Sequence, residues 1–217
     1  ANTIALGRSS VASANKATAI GDQASAQFEN AIAIGVSTTA IGAQAVAIGK
    51  GATTSKDHGV AIGDNAKTPG DSAVALGSNA TATGDYTLAA GNGAKALKNY
   101  AVAFGNDAKA AEANAVAIGN YTKAQGDSDI AIGNTASTAA GRNKQIAIGT
   151  NAYAGHNSAI AVGERASATG LASVSLGVAA VANQQNTIAI GNTANAAGTS
   201  AVALGAAANA SNNSASV

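Results

Sequence analysis

Among 217 residues, two histidines, four tyrosines and a handful of lysines at matching spacing are the side chains best equipped for chemistry. A metal centre or a nucleophile–base pair needs partners that converge on one point. His58 and His156 stand five and seven residues before different glycines of a repeat, with no carboxylate or cysteine at a matching place. Both therefore read as surface-turn histidines, and no catalytic residue, metal or cofactor is expected. The stretch "GAQAVAIGKGATTS" pairs glycines with a lysine but lacks the spacing of a phosphate loop.

Lys67, Lys95, Lys109 and Lys123 share one repeat position, so Lys95, Lys109 and Lys123 are expected to stack on one wet face. They form either a basic track for an anionic or collagen-like partner or a solvated face offset by Asp64, Asp71, Asp85, Asp107 and Asp127, the second being favoured because exposed pairs bind weakly. Tyr86 and Tyr100 share another position on neighbouring repeats, and Tyr153 sits in the lysine row. In so aromatic-poor a chain these tyrosines are either candidate contacts, since tyrosine is enriched at interfaces, or ordinary edge packing. Arg142 and Lys144 lie in an irregular segment and complete the candidate ligand-binding set.

What must position these side chains is a repeat. Glycines recur every 14 residues from Gly7 through Gly21, Gly35, Gly49, Gly63, Gly77, Gly91, Gly105 and Gly119 to Gly133; one 16-residue step reaches Gly149, and the 14-residue spacing resumes to Gly205. With the glycine as position zero, −1 and −3 are large and mostly aliphatic apart from Ala90 and Thr18, −2 is alanine except for Ser175, and +3 and +5 are mostly alanine around a polar +4. Alternation of period two is the mark of strands. Each repeat thus predicts strand, glycine bend, strand, turn: one coil of a narrow all-β parallel solenoid. Residues 1–217 form a single repetitive domain of fifteen coils with a two-residue insertion near 138–145. The glycines, Gly21, Gly35, Gly49, Gly63, Gly77, Gly105, Gly119 and Gly133 among them, are expected to make bends that need positive φ or close backbone approach.

Inside the coil, the large −1 and −3 residues are expected to lie against the alanines at +3 and +5. The −2 alanines, Ala33, Ala47, Ala61, Ala75, Ala103, Ala117 and Ala131, would then point outward. An exposed apolar stripe of that extent is expected to be covered by other copies of the chain.

The copies "NAIAIG" at 30–35, "DSAVALG" at 71–77 and "NAVAIG" at 114–119, with x-x-Ala-x-Ala between, closely resemble the head domain of YadA-like trimeric autotransporter adhesins of Gram-negative bacteria. The resemblance implies a left-handed parallel β-roll, a homotrimer, and exposure at the bacterial cell surface, anchored in the outer membrane through regions absent here. It further implies a non-enzymatic role: attachment to host extracellular matrix, with collagen, fibronectin or laminin as candidate partners, or to host cell surfaces, and autoaggregation or biofilm formation. Neck, coiled-coil stalk and anchor motifs are not found, so the chain is expected to be a cut-out of a longer head.

Composition narrows the alternatives. Net charge is +1 and charged residues are 11%, which gives no pull toward nucleic acid, and no apolar run suggests direct membrane insertion. An ice-binding type of lattice solenoid is the main alternative, but its regular threonine array is missing. Acyltransferase hexapeptide repeats do not fit a period of 14, and calcium-binding nonapeptide motifs are absent.

Overall fold

The computed structural model describes residues 2–217. Thirty short strands alternate between three and two residues in length, and no helix occurs among the described residues. The chain divides into two compact units, Ala1–Ala108 and Lys109–Val217, and each is a parallel β-solenoid. In the first, three-residue strands such as Ile32–Ile34 and Val46–Ile48 pair in parallel across a 14-residue offset, Ala33 opposite Ala47. Two-residue strands such as Ser25–Ala26 and Thr39–Ala40 form the facing sheet in the same way. The second unit repeats the scheme, with Ile160–Val162 on Val174–Leu176 and Tyr153–Ala154 on Ser167–Ala168.

Two similar corners, seven residues apart, close each coil. At one, Ala24 N–H donates to Gly21 O at 3.3 Å and Gln23 takes φ 58°; at the other, Ala45 N–H donates to Gly42 O at 3.3 Å and Gln44 takes φ 57°. A left-handed third residue is what a type II turn requires. Asn and Asp, which tolerate this region better than most residues, recur at these places, as in Asn30, Asn65, Asn79, Asp107 and Asn114.

The register glycines do something different. Their φ lies between 124° and 136°, a conformation that only glycine adopts readily. A Cβ on Gly49 would also stand 2.4 Å from Gly63 O in the next coil. Position +7 has no such φ, so Phe28, Lys56 and His156 are accepted there while zero is glycine in every coil. Gly49→Ala is therefore expected to cost about 3 kcal/mol or more, combining backbone strain with a collision against a fixed carbonyl. Gly141→Ala, at φ 68° with nothing within 4 Å of the added carbon, should cost only about 1 kcal/mol. Guanidinium unfolding of the two variants checks the contrast.

The interior corrects the expected facing. Ala33, Ala47, Ala61, Ala75, Ala103, Ala117 and Ala131 are fully buried within the single chain. They meet the +3 and +5 alanines, such as Ala24, Ala26 and Ala40, which are fully buried too. The −1 and −3 residues point outward: at −1 Ile62 is 39% exposed, Leu76 38% and Phe104 56%, while −3 residues such as Val46 and Val60 are half-buried. Period-two alternation says that a strand has two faces but not which is inside. A closed turn of only 14 residues decides it, because two sheets this near each other leave room for methyl groups and not for isobutyl chains.

Candidate ligand-binding surface

Once alanine fills the coil, three kinds of outward residue remain: the aliphatic −1 and −3 row, the +4 row on the other sheet, and the corners. In the +4 row Lys109 pairs in register with Lys123, Lys123 with Ser137, and Ser137 with Tyr153, all in the second unit. Lys95 belongs to the first unit, where its register partner is Thr81 and the next in the row is Lys67. The structure thus brings Lys109 and Lys123 together and sets Lys95 in a row where threonine and lysine alternate. Lys95 and Lys123 are exposed, as is Tyr153.

The corners carry a side-chain ladder that sequence reading missed. Residue +8 of one coil offers an oxygen to the backbone N–H of the same position in the coil before. Ala43 N–H donates to Asp57 Oδ1 at 2.8 Å, Asp71 N–H to Asp85 Oδ1 at 2.8 Å, and Asp85 N–H to Asn99 Oδ1 at 3.1 Å. In the second unit Asp127 N–H donates to Asn143, Asn143 N–H to Asn157, and Thr199 N–H to Asn213. The recurrence of Asp and Asn at one position was its signal. The Asp71 N–H, and then the Lys56 ammonium at 3.0 Å, hold the Asp85 carboxyl below the usual carboxylate range. Its contribution to stability is present above the unfolded carboxyl's pKa and is lost as pH falls through the lower folded value.

Next along the same corner stand Tyr86 and Tyr100. Their rings stack with centroids 5.5 Å apart and planes within 6°, and the residues are 57% and 59% exposed. Both take left-handed φ, 57° and 61°, as does Tyr121, so three of the four tyrosines sit at strained corners with their rings turned to solvent. His58 lies at the same corner, its Nδ1 4.0 Å from Asp71 Oδ1. His156 accepts at Nδ1 from the Asn157 N–H, a local turn bond.

The 16-residue coil projects residues 140–144, Arg142 and Lys144 among them, all exposed. Beneath it lies a second feature that the sequence reading missed. Ordinary coils close this corner with a bond from −4 N–H back to the +7 carbonyl, as Ala45 does to Gly42. The insertion breaks that pattern at Gln145, whose N–H donates instead to Asp129 Oδ1 of the preceding coil at 2.8 Å. Asp129 is fully buried, and its Oδ2 accepts from Gly126 N–H at 2.7 Å, Thr138 Oγ1 at 2.6 Å and Gln145 Nε2 at 3.0 Å. Gln145 further bonds Ala139 through both its amide atoms, at 2.8 and 3.1 Å. Asp129, Thr138 and Gln145 interrupt the alanine rows just where the spacing changes, which was the available signal. Among the described residues, no group of three or more His, Cys, Asp or Glu side chains is placed to hold a metal ion.

A family model described as YadA head domain repeat (2 copies) matches the chain in overlapping segments from 1 to 136 and again at 146–166 and 168–194. The gap at 137–145 falls on the 16-residue coil. A similar solved structure is the crystal structure of the collagen-binding domain of Yersinia adhesin YadA, 29% identical, with a TM-score of 0.46 over 61% of this chain and 65% of that one. The chain therefore spans just under two thirds of that structure's length. No curated protein matches.

Proposed function

The chain belongs to the YadA head domain repeat family, and on that premise we propose that it is the binding head of a bacterial surface adhesin, a scaffold that presents side chains rather than an enzyme. The family match over most of the chain carries this reading. The geometry supports it, since the coils bury mostly alanine, with a few Ser and Thr and the Asp129–Gln145 pair as exceptions, and leave their large apolar side chains facing outward.

Three copies wound together are the proposed working form. The outward −1 and −3 aliphatics supply the intersubunit face, in place of the alanines first expected to do so. A row of Ile, Val and Leu on successive coils is more apolar surface than monomers leave in water. The +4 row and the corners stay polar, and there Lys95, Lys109, Lys123, Tyr86, Tyr100, Tyr153, Arg142 and Lys144 are the proposed ligand contacts. Collagen, fibronectin and laminin, or host cell-surface molecules, are the proposed targets at the bacterial cell surface, with head-to-head contact giving autoaggregation or biofilm growth. Many weak contacts repeated on three chains would sum to useful avidity.

Binding of the assembled protein to immobilised collagen, fibronectin, laminin and albumin tests the reading. Saturable binding to at least one matrix protein and none to albumin is expected. Equal, non-saturating signals on all four surfaces would overturn it.

A further inference from the structure

We propose that the Tyr86–Tyr100 stack and the groove beside it form a docking site for an arginine side chain of a partner polypeptide. The stack presents aromatic surface where most corners have none. Ser72 holds the same position one coil before Tyr86, and its side chain is too short to cover a ring. The Tyr86 N–H bonds Asp71 O at 2.9 Å, which places the Tyr86 backbone beside the aspartate ladder.

The groove alongside has a volume of about 440 Å³ and includes Phe28, Ile41, Lys56, Asp57, Asp71 and Asp85 in its walls. Gly42 lines it between Phe28 and Lys56, which hold the same position on the coils either side. Three carboxylates here face one ammonium. Lys56 is committed to Asp85, and Asp57 is occupied by the Ala43 N–H. Asp71 differs: its Oδ1 is enclosed without a hydrogen bond and lies 4.0 Å from His58 Nδ1, while the side chain as a whole is 39% exposed, so the rest of its carboxylate faces solvent.

An exposed aromatic face next to a partly exposed carboxylate, in a groove of net negative charge, is complementary to a planar cation. Guanidinium stacks on tyrosine and pairs with a carboxylate in a single pose, which an ammonium does less well and a neutral sugar cannot do. This inference deepens the adhesin reading, resting on it for the need of a partner and naming the chemistry of one contact.

Short fluorescein-labelled peptides of glycine, serine and proline with one central arginine, lysine or citrulline, titrated with the full chain by anisotropy, provide the test. Citrulline keeps arginine's shape and removes its charge. The arginine peptide is expected to bind at least about fivefold tighter than the citrulline peptide, with lysine between them. Tyr86→Ser with Tyr100→Ser, and separately Asp71→Asn, should each abolish most of that preference. Serine occupies the same corner at Ser72 and Ser128, and asparagine the same ladder at Asn99, so both variants keep residues that the coil already accommodates. Equal binding of arginine and citrulline peptides, or a preference unchanged in both variants, would overturn the site. A changed solution mass in the tyrosine variant would overturn it too, by making the stack a contact between copies. An arginine preference without binding to any matrix protein would leave this inference standing while the adhesin reading fails.

Discussion

Aspartate in place of Ile48 and Ile62 is expected to leave a folded chain that no longer self-associates. Both side chains point away from the coil, and the buried alanines that precede them, Ala47 and Ala61, are untouched. The isolated chain therefore loses little, less than about 1 kcal/mol at each position. In an assembly that covers the aliphatic row, each new carboxylate is a buried charge with no partner, at about 3–5 kcal/mol apiece. Symmetry repeats the cost on every copy, so association at micromolar concentration should be lost. Thr39→Asp with Thr53→Asp, on the outward face of the opposite sheet, should leave the mass unchanged. Light scattering and thermal unfolding of the two double variants separate the cases; an associated mass that survives both would put the interface elsewhere.

Asp129→Ala is expected to destabilise the second unit by about 3–5 kcal/mol and to loosen the projecting segment. The substitution removes the acceptor for Gln145 N–H, Gly126 N–H, the Thr138 hydroxyl and the Gln145 amide together. Alanine is the usual residue at this position, so nothing is overpacked and the loss is one of hydrogen bonding alone. Removing the side-chain donors as well, with Thr138→Ala and Gln145→Ala, should recover part of the stability, because groups absent on both sides cost less than groups left unpaired. Arg142 and Lys144 make trypsin a local reporter: cleavage there should speed up in Asp129→Ala and slow again in the triple variant. Equal cleavage and equal unfolding midpoints for wild type and Asp129→Ala would show that the buried network does not hold the segment.

The glycine period, the two strands per coil and their parallel stacking were legible in the sequence, since each residue type recurs at a fixed place and two period-two segments within 14 residues fit one coil of a solenoid. Which face lay inside was not legible from alternation alone. The evidence for it was the second alanine pair at +3 and +5: two alanine faces fit a gap that one alanine face and one isoleucine face do not. Corner chemistry was half legible. Tyr86 and Tyr100 could be placed on one row by counting, but their stacking depends on the left-handed corner that turns both rings outward. Asp129 could be counted out of its alanine row, yet its role follows only from the turn that the insertion breaks, and that turn is a matter of backbone hydrogen bonding rather than of residue type.

The most direct test of the account is the solution mass of the unaltered chain by light scattering through a dilution series. The proposed trimer, its copy number taken from the family resemblance and its interface from the outward aliphatic row, predicts a species of three times the 20.5 kDa chain mass that persists on dilution. A folded monomer of 20.5 kDa at every concentration would contradict it, leaving the Ile, Val and Leu row exposed and the proposed intersubunit face without an occupant.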